Sequence, residues 1–153
     1  MSMEDKNTCK ECGGSNICEH GRQNRQCKDC NFTLYLVNLQ RNNLRRCLNN
    51  SNLEKPKPSI EYLGCDIIYF KNYIESKMVN GMTWDNIHLD HIKPVSKFNL
   101  DDEDEFLYCC HYSNLQPLLI VDNLEKSNKW SDENNKYWLQ NIKGKDYNEI
   151  YLT

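Results

Sequence analysis

Cysteines gather in two pairs near the start of the chain, Cys9-x2-Cys12 and Cys27-x2-Cys30, with fourteen residues between the pairs. Two intervening residues allow a tight turn that aims both sulfurs of a pair at one tetrahedral ion, so the spacing predicts a structural zinc site. Gly13 and Gly14 relax the backbone directly after the first pair. Roughly forty residues this polar bury too little apolar surface to fold unaided, and a metal staple supplies the missing stabilisation. Cys18 and His20 offer a competing choice of ligand, one of them replacing a knuckle cysteine. A four-cysteine zinc module, knuckle-like or ribbon-like, is expected over residues 1–32.

The remaining cysteines, Cys47, Cys65, Cys109 and Cys110, lack knuckle spacing and sit among apolar residues, as core thiols do. Nine cysteines in a secreted chain would suggest disulfides with one left over. No leading apolar segment marks a signal peptide, however, and no run is long enough to span a membrane. A reducing intracellular compartment and no membrane partner are expected. At 153 residues and 39% hydrophobic content, the chain can build one modest domain plus a small appendage.

Charge is unevenly divided. Residues 1–58 hold ten Lys and Arg against six acids, whereas 59–153 hold nine against sixteen. All five arginines, Arg22, Arg25, Arg41, Arg45 and Arg46, fall in the first part. A pI of about 5.8 argues against a strongly basic nucleic-acid binder, but the asymmetry concentrates phosphate-binding potential at one end. A solvated helix face is the alternative reading. Alanine is absent and Asn abundant, which fits the codon bias of an A+T-rich genome.

Between Thr33 and Asn50, Leu34, Val37, Leu44, Cys47 and Leu48 recur near helical spacing, with Arg41 and Arg45 off that stripe. A basic helix followed by a Pro-containing linker is expected over 33–58. Asp66 can cap a helix in which Ile67, Phe70, Ile74 and Met78 share a face, ended by Asn80-Gly81. Ile87 to Ile92 reads as a strand, Asp102 with Glu105 as a capped helical turn, and Leu115 to Val121 as a second strand. Asp122 then caps a helix carrying Asn123 and Lys126. Trp130, Tyr137, Trp138 and Ile142 form a C-terminal helix over the core, which Gly144 ends. The fold class is α+β.

Three short segments carry chemistry: Leu89-Asp90-His91-Ile92-Lys93-Pro94, Ser113-Asn114-Leu115-Gln116-Pro117-Leu118, and Asp122-Asn123-Leu124-Glu125-Lys126. A water attacking a phosphodiester needs a proton acceptor near neutrality, and His91 fits. The growing charge on the phosphate and the leaving oxygen needs a divalent cation on hard oxygen ligands, which Asp90 and Asn123 supply. Strand neighbours point to opposite faces, so Asp90 and His91 reach one phosphate only where the strand ends or bulges, and Pro94 suits an ending. His88 shares a face with Asp90 and either touches the metal or packs beneath it. His111 suits a structural hydrogen bond. Lys126 and Lys129 are either phosphate contacts or solvated helix residues.

These segments resemble the HNH nuclease motif, and the eight residues between Asn114 and Asn123 match the interval in colicin nucleases and in the HNH domain of CRISPR effectors. The resemblance implies a small ββα-metal core with flanking helices over 59–153. It implies His91 as the residue that activates water, Asp90 and Asn123 as ligands of one Mg²⁺ or Mn²⁺ ion (Zn²⁺ is an alternative), and Asn114 as the holder of the base-bearing loop. Two departures stand out: the last motif letter is Asn rather than His, and the acidic run Asp101–Glu105 separates the strands. The Cys9 to Arg22 segment is similar to zinc elements beside HNH domains of large DNA viruses, and Leu63-Gly64-Cys65 with Gly81-Met82-Thr83-Trp84 is similar to the stretch before Asp-His there. The implied activity is metal-dependent cleavage of double-stranded DNA, in a homing or mobile-element role. The zinc module and arginines would form the holding surface, in host cytoplasm or nucleus. The competing class is a zinc-stabilised DNA-binding protein with an inactive nuclease-like part.

Overall fold

The computed structural model describes residues 16–54 and 59–143. It is a mixed helical fold with one small two-stranded sheet, and its division into two compact units falls between Asn42 and Asn43.

The described part of the first unit opens on a tight turn. Ile17 bridges Gln23, Cys18 N–H donates to Arg22 O at 2.8 Å, and Gly21 supplies the positive φ of 68° that the reversal needs. A short 3-10 turn, Asn24–Gln26, leads to a second turn across Cys27 to Cys30. Helix α1, Phe32–Asn49, follows and runs across the division, so its residues from Asn43 onward belong to the second unit. Asn31 starts it by accepting the Leu34 N–H at 2.9 Å. The buried stripe of α1 is Leu36, Gln40, Leu44 and Cys47, not the stripe expected through Leu34, which is exposed. Spacings of four, four and three keep those positions on one face, whereas Leu34 is two residues, about 200°, from Leu36. Arg41, Arg45 and Arg46 are exposed on the remaining surface of α1.

The second unit holds α2, Ser59–Leu63, and α3, Ile67–Lys77. Asp66 caps α3 by accepting the Tyr69 N–H at 2.8 Å, and Phe70 and Ile74 are fully buried on one face. Gly64, at φ 78°, joins α2 to α3. A Cβ there would meet the His111 ring at 2.4 Å, so both backbone and packing require glycine.

Strand β1, Ile87–His91, pairs antiparallel with β2, Leu115–Leu119, in the register Leu89 with Pro117 and Asp90 with Gln116. Between them lies α4, Glu103–Cys110. Asp102 accepts the Glu105 N–H at 3.0 Å, as expected of a cap, and the Glu105 carboxylate accepts the Asn99 N–H at 2.7 Å.

Directly after β2 comes α5, Ile120–Lys126. It starts two residues before the expected cap, so Asp122 lies in its first turn, where a negative charge still suits the helix dipole. Helix α6, Asp132–Asn141, is capped by Ser131, which accepts the Asn134 N–H at 3.1 Å. Trp138 of α6 is buried, but Tyr137 is exposed and Trp130 precedes the helix. Gly144 lies outside the described residues.

Two apolar clusters hold this unit. Leu44, Tyr62, Phe98, Leu100, Phe106 and Trp138 belong to one; Leu63, Phe70, Ile74, Ile87, Tyr112 and Leu115 to the other. Among the described residues, no helix is long and apolar enough to cross a membrane.

Candidate functional site

Alternation along β1 turns His88 and Asp90 to one face and Ile87 and His91 to the other, where both are buried. Helix α5 covers the first of these faces. Asn123 and Lys126, three residues apart and so neighbours on the helix surface, both reach it. Lys126 Nζ stands 2.8 Å from Asp90 Oδ2 and donates to His91 O at 2.8 Å. Gln116, the cross-strand partner of Asp90, donates Nε2–H to the same carboxylate at 3.0 Å. Asn123 Nδ2 lies 3.1 Å from His88 Nδ1. With that amide nitrogen engaged, Asn123 Oδ1 remains available as an acceptor or ligand. A cleft of about 500 Å³ adjoins the site, and Gln116, Lys126, Trp130 and Tyr137 are among its lining residues.

Asn114 is fully buried at the entry to β2 and bonds in four directions. Its Oδ1 accepts Lys93 N–H at 3.0 Å and Trp138 Nε1–H at 2.9 Å. Its Nδ2 donates to Lys93 O at 3.3 Å and Cys109 O at 3.2 Å. The segment after β1 is thereby clamped through both backbone polar groups of Lys93. The Lys93 ammonium packs over Phe98 and Trp138, and burial lowers its pKa.

His91 does not join Asp90 and Asn123. It is 4% exposed, and its ring lies on the inner face with Cys47 of α1 and Cys109 of α4, the donors of all three within 4.8 Å of one another. The reason is the plain alternation of a strand that continues through His91: Pro94 ends the extended run only after that residue. His88, by contrast, is exposed on the Asp90 side. His111 has a structural setting, with Nδ1 2.7 Å from Ser113 Oγ and accepting the Ser113 N–H at 3.3 Å.

In the first unit, Cys18, His20, Cys27 and Cys30 bring four donors within 4.8 Å of one another, and this cluster could hold a metal ion such as zinc. The His20 Nδ1 to sulfur distances are 4.0, 3.6 and 3.3 Å for Cys18, Cys27 and Cys30. They bracket the roughly 3.5 Å edge of a tetrahedron with zinc bonds near 2.3 and 2.05 Å. The gathered partners of Cys27 and Cys30 are thus the alternative ligands; Cys9 and Cys12 lie outside the described residues. Desolvation opposes ionisation of Cys18, but hydrogen bonds from the Arg22 and His20 backbone and from Cys27 outweigh it and lower its pKa to about 6. Cys30 is pushed up to about 12 by desolvation and by the Cys27 and Cys18 thiols. One thiolate thus makes the next costlier, a repulsion that a divalent cation relieves.

Of the expected phosphate contacts, Lys126 lies in the β1–α5 site, whereas Lys129 is exposed beyond α5. Arg22 pairs with Asp29 at 3.5 Å, and Arg25 bonds Gln23 at 3.2 Å. Sequence reading missed Gln116, which is detectable only once the strand register is known, and the grouping of His91 with two distant thiols.

Two curated relatives are similar to this chain. Uncharacterized protein L426 of Acanthamoeba polyphaga mimivirus is 32% identical over 111 residues, 70% of this chain and 47% of that protein. Uncharacterized protein L246 of the same virus is 34% identical over 98 residues, 61% of this chain and 41% of that protein. The matched segments span less than half the length of either relative. No protein-family description and no solved structure matches the chain.

Proposed function

We propose that the chain is a divalent-metal-dependent endonuclease of the HNH type that hydrolyses phosphodiester bonds of double-stranded DNA. The observation that carries this reading is that β1 and α5 bring Asp90 and Asn123 to one side of a strand–strand–helix unit, Asp90 against Lys126 and Asn123 against His88. The Asn114 clamp on the loop between the first two motif segments supports it further.

The available donors are hard oxygens, one carboxylate and one amide, which fit Mg²⁺ or Mn²⁺ better than a thiophilic ion. When bound, the ion supplies Lewis-acid stabilisation of the charge that grows on the phosphate and the leaving oxygen. Asp90 and Asn123 would hold it. Lys126 partly neutralises Asp90 and carries a positive charge to the edge of the cleft, and Gln116 fixes the carboxylate plane. His88 orients the Asn123 amide. Proton abstraction falls to His91 by motif; His88 is the imidazole on the metal face and the second candidate.

In the first unit, we propose that the Cys/His cluster takes a structural zinc and, with the arginines of the N-terminal third, holds DNA. A zinc-stabilised DNA-binding protein without catalysis is the second reading, favoured by the burial of the His91 ring. Nicking of supercoiled plasmid by purified protein decides between them. Mg²⁺-dependent conversion to open circles, abolished by EDTA and by Asp90→Ala, is expected; DNA binding with no conversion in Mg²⁺ or Mn²⁺ would leave the binding protein.

A further inference from the structure

Three donors from three separate elements meet on the inner face of β1. Cys47 near the end of α1 and Cys109 in α4 are fully buried, and His91 at the end of β1 is 4% exposed. All lie in the second unit. The two sulfurs are 3.7 Å apart, and the donor atoms all lie within 4.8 Å of one another. A pair of thiolates bound at about 2.3 Å to one tetrahedral ion has its sulfurs about 3.8 Å apart, so the observed separation is already that of a ligand pair. The surrounding wall is apolar, with Leu44, Phe106 and Trp138 in the same cluster as both thiols.

Ordinary packing accounts for only part of this arrangement. Buried thiols behave as small hydrophobes and need no partner, so Cys47 and Cys109 alone would be ordinary core residues. A buried imidazole is different: desolvation of its two ring nitrogens is costly, and thiols are weak hydrogen-bond partners for it. Two soft sulfurs and one imidazole converging in a dry, close-packed wall are three of the four donors of a structural zinc site.

We propose that Cys47, His91 and Cys109 bind a structural zinc ion, tying α1, β1 and α4 together. The ligands lie 44 and 18 residues apart in sequence, so no short motif announces the site. This inference does not rest on the nuclease reading, because Asp90, Asn123 and His88 occupy the other face of β1. Its consequence for that reading is that His91 is held as a ligand, which leaves His88 as the imidazole available on the metal face.

The test is zinc content of the full-length protein, measured by mass spectrometry of the metal after exhaustive dialysis. Cys109→Ala and Cys47→Val should each lose one zinc per chain relative to wild type and to the control Cys65→Ala, and should melt at lower temperature. Folded Cys109→Ala with wild-type zinc content would overturn the proposal and make the thiols ordinary core. Should both variants fail to fold, anomalous scattering at the zinc edge from crystals of the wild-type protein decides. A peak bonded to Cys47, His91 and Cys109 supports the site, and density for the side chains with no peak between them sinks it. Neither readout depends on DNA cleavage.

Discussion

The two faces of β1 carry different chemistry within one five-residue strand. On the outer face, which is open to solvent at His88, His88 and Asp90 meet an amide, a second amide and an ammonium from β2 and α5. On the inner face, His91 meets two thiols in an apolar wall. The same imidazole side chain is therefore offered solvent and an amide at position 88, on the face it shares with Asp90, and soft donors without solvent at position 91. Residue type alone does not assign a role; the phase of the strand does. A slip of one residue in the β1–β2 register would exchange the two sets, so whatever fixes the register also fixes the chemistry.

The largest effect that tests this division is expected at Asp90. Asp90→Ala removes the only carboxylate that β1 presents on its outer face and should lower plasmid nicking on the order of 10³-fold, comparable to losing a principal electrostatic contact in an active site. Zinc content should hardly change, because the side chain supports neither thiol cluster, whereas Tm should fall somewhat as the largely buried Lys126 loses its partner. A variant that nicked at the wild-type rate in Mg²⁺ would end the claim that the outer face is catalytic.

Asn114→Ala comes next, and it acts on the clamp rather than on either face. Four hydrogen bonds disappear, two of them buried, leaving the Lys93 backbone, Trp138 Nε1–H and Cys109 O without that partner. About 3 kcal/mol of stability should be lost, read as a lower urea midpoint with an unchanged m-value. Trp138→Phe keeps much of the ring volume but drops one of the four bonds, so about 1 kcal/mol is expected there. If Asn114→Ala melted like wild type, the loop after β1 would be held by other means.

His88→Ala separates the two histidines. His88 is exposed, so stability should stay within about 0.5 kcal/mol of wild type, whereas nicking should drop roughly 10- to 100-fold as Asn123 loses its orienting partner. His91→Ala should instead lower Tm, because its ring is part of the buried wall. Retained nicking in a stably folded His91→Ala protein would move proton abstraction away from the motif residue; unaffected nicking in His88→Ala would remove any role for the outer imidazole.

How much of this was legible beforehand follows from the range of the interactions involved. Caps act over three residues, so Asp66 and Asp102 could be read directly from spacing, as could the apolar periodicity of α3 and the two strands. The opposition of Asp90 and His91 also followed from alternation, provided the strand did not end or bulge between them. It runs through both. Other features depend on tertiary distance. Cys47 and Cys109 are 62 residues apart, and Gln116 meets Asp90 only through a register that no local signal encodes. The start of α5 departs from the cap expected at Asp122 for a related reason: Asp122 is a good cap by type, yet the chain leaves β2 at Leu119 and turns helical at once, while Ile120 N–H bonds Asn86 O at 3.2 Å. In the first unit, Cys18 and His20 are competing ligands by sequence, one of them replacing a knuckle cysteine; that both stand beside Cys27 and Cys30 follows only from the fold that brings the Gly21 turn onto that pair.

The smallest effect expected concerns how β1 is entered, and therefore its phase. Trp84, three residues before the strand, donates Nε1–H to Glu75 at 2.9 Å, and Lys71 stands 3.0 Å from the same carboxylate one turn back on α3. The Trp84 hydrogen bond, ahead of the Lys71 contacts, lowers the Glu75 pKa. A carboxylate with a lower pKa in the folded than in the unfolded chain contributes stability that is fully present above the unfolded value of about 4.3 and disappears as pH falls through the folded one. Glu75→Gln keeps an acceptor for Trp84 but loses the charge. The wild type should therefore be slightly more stable than the variant at pH 7, by about 0.5 kcal/mol given the exposure of the pair, and the two should converge below about pH 4. Parallel melting curves from pH 7 to pH 3 would show that the Trp84 anchor owes nothing to the ionised form, and that shape alone sets where the strand begins.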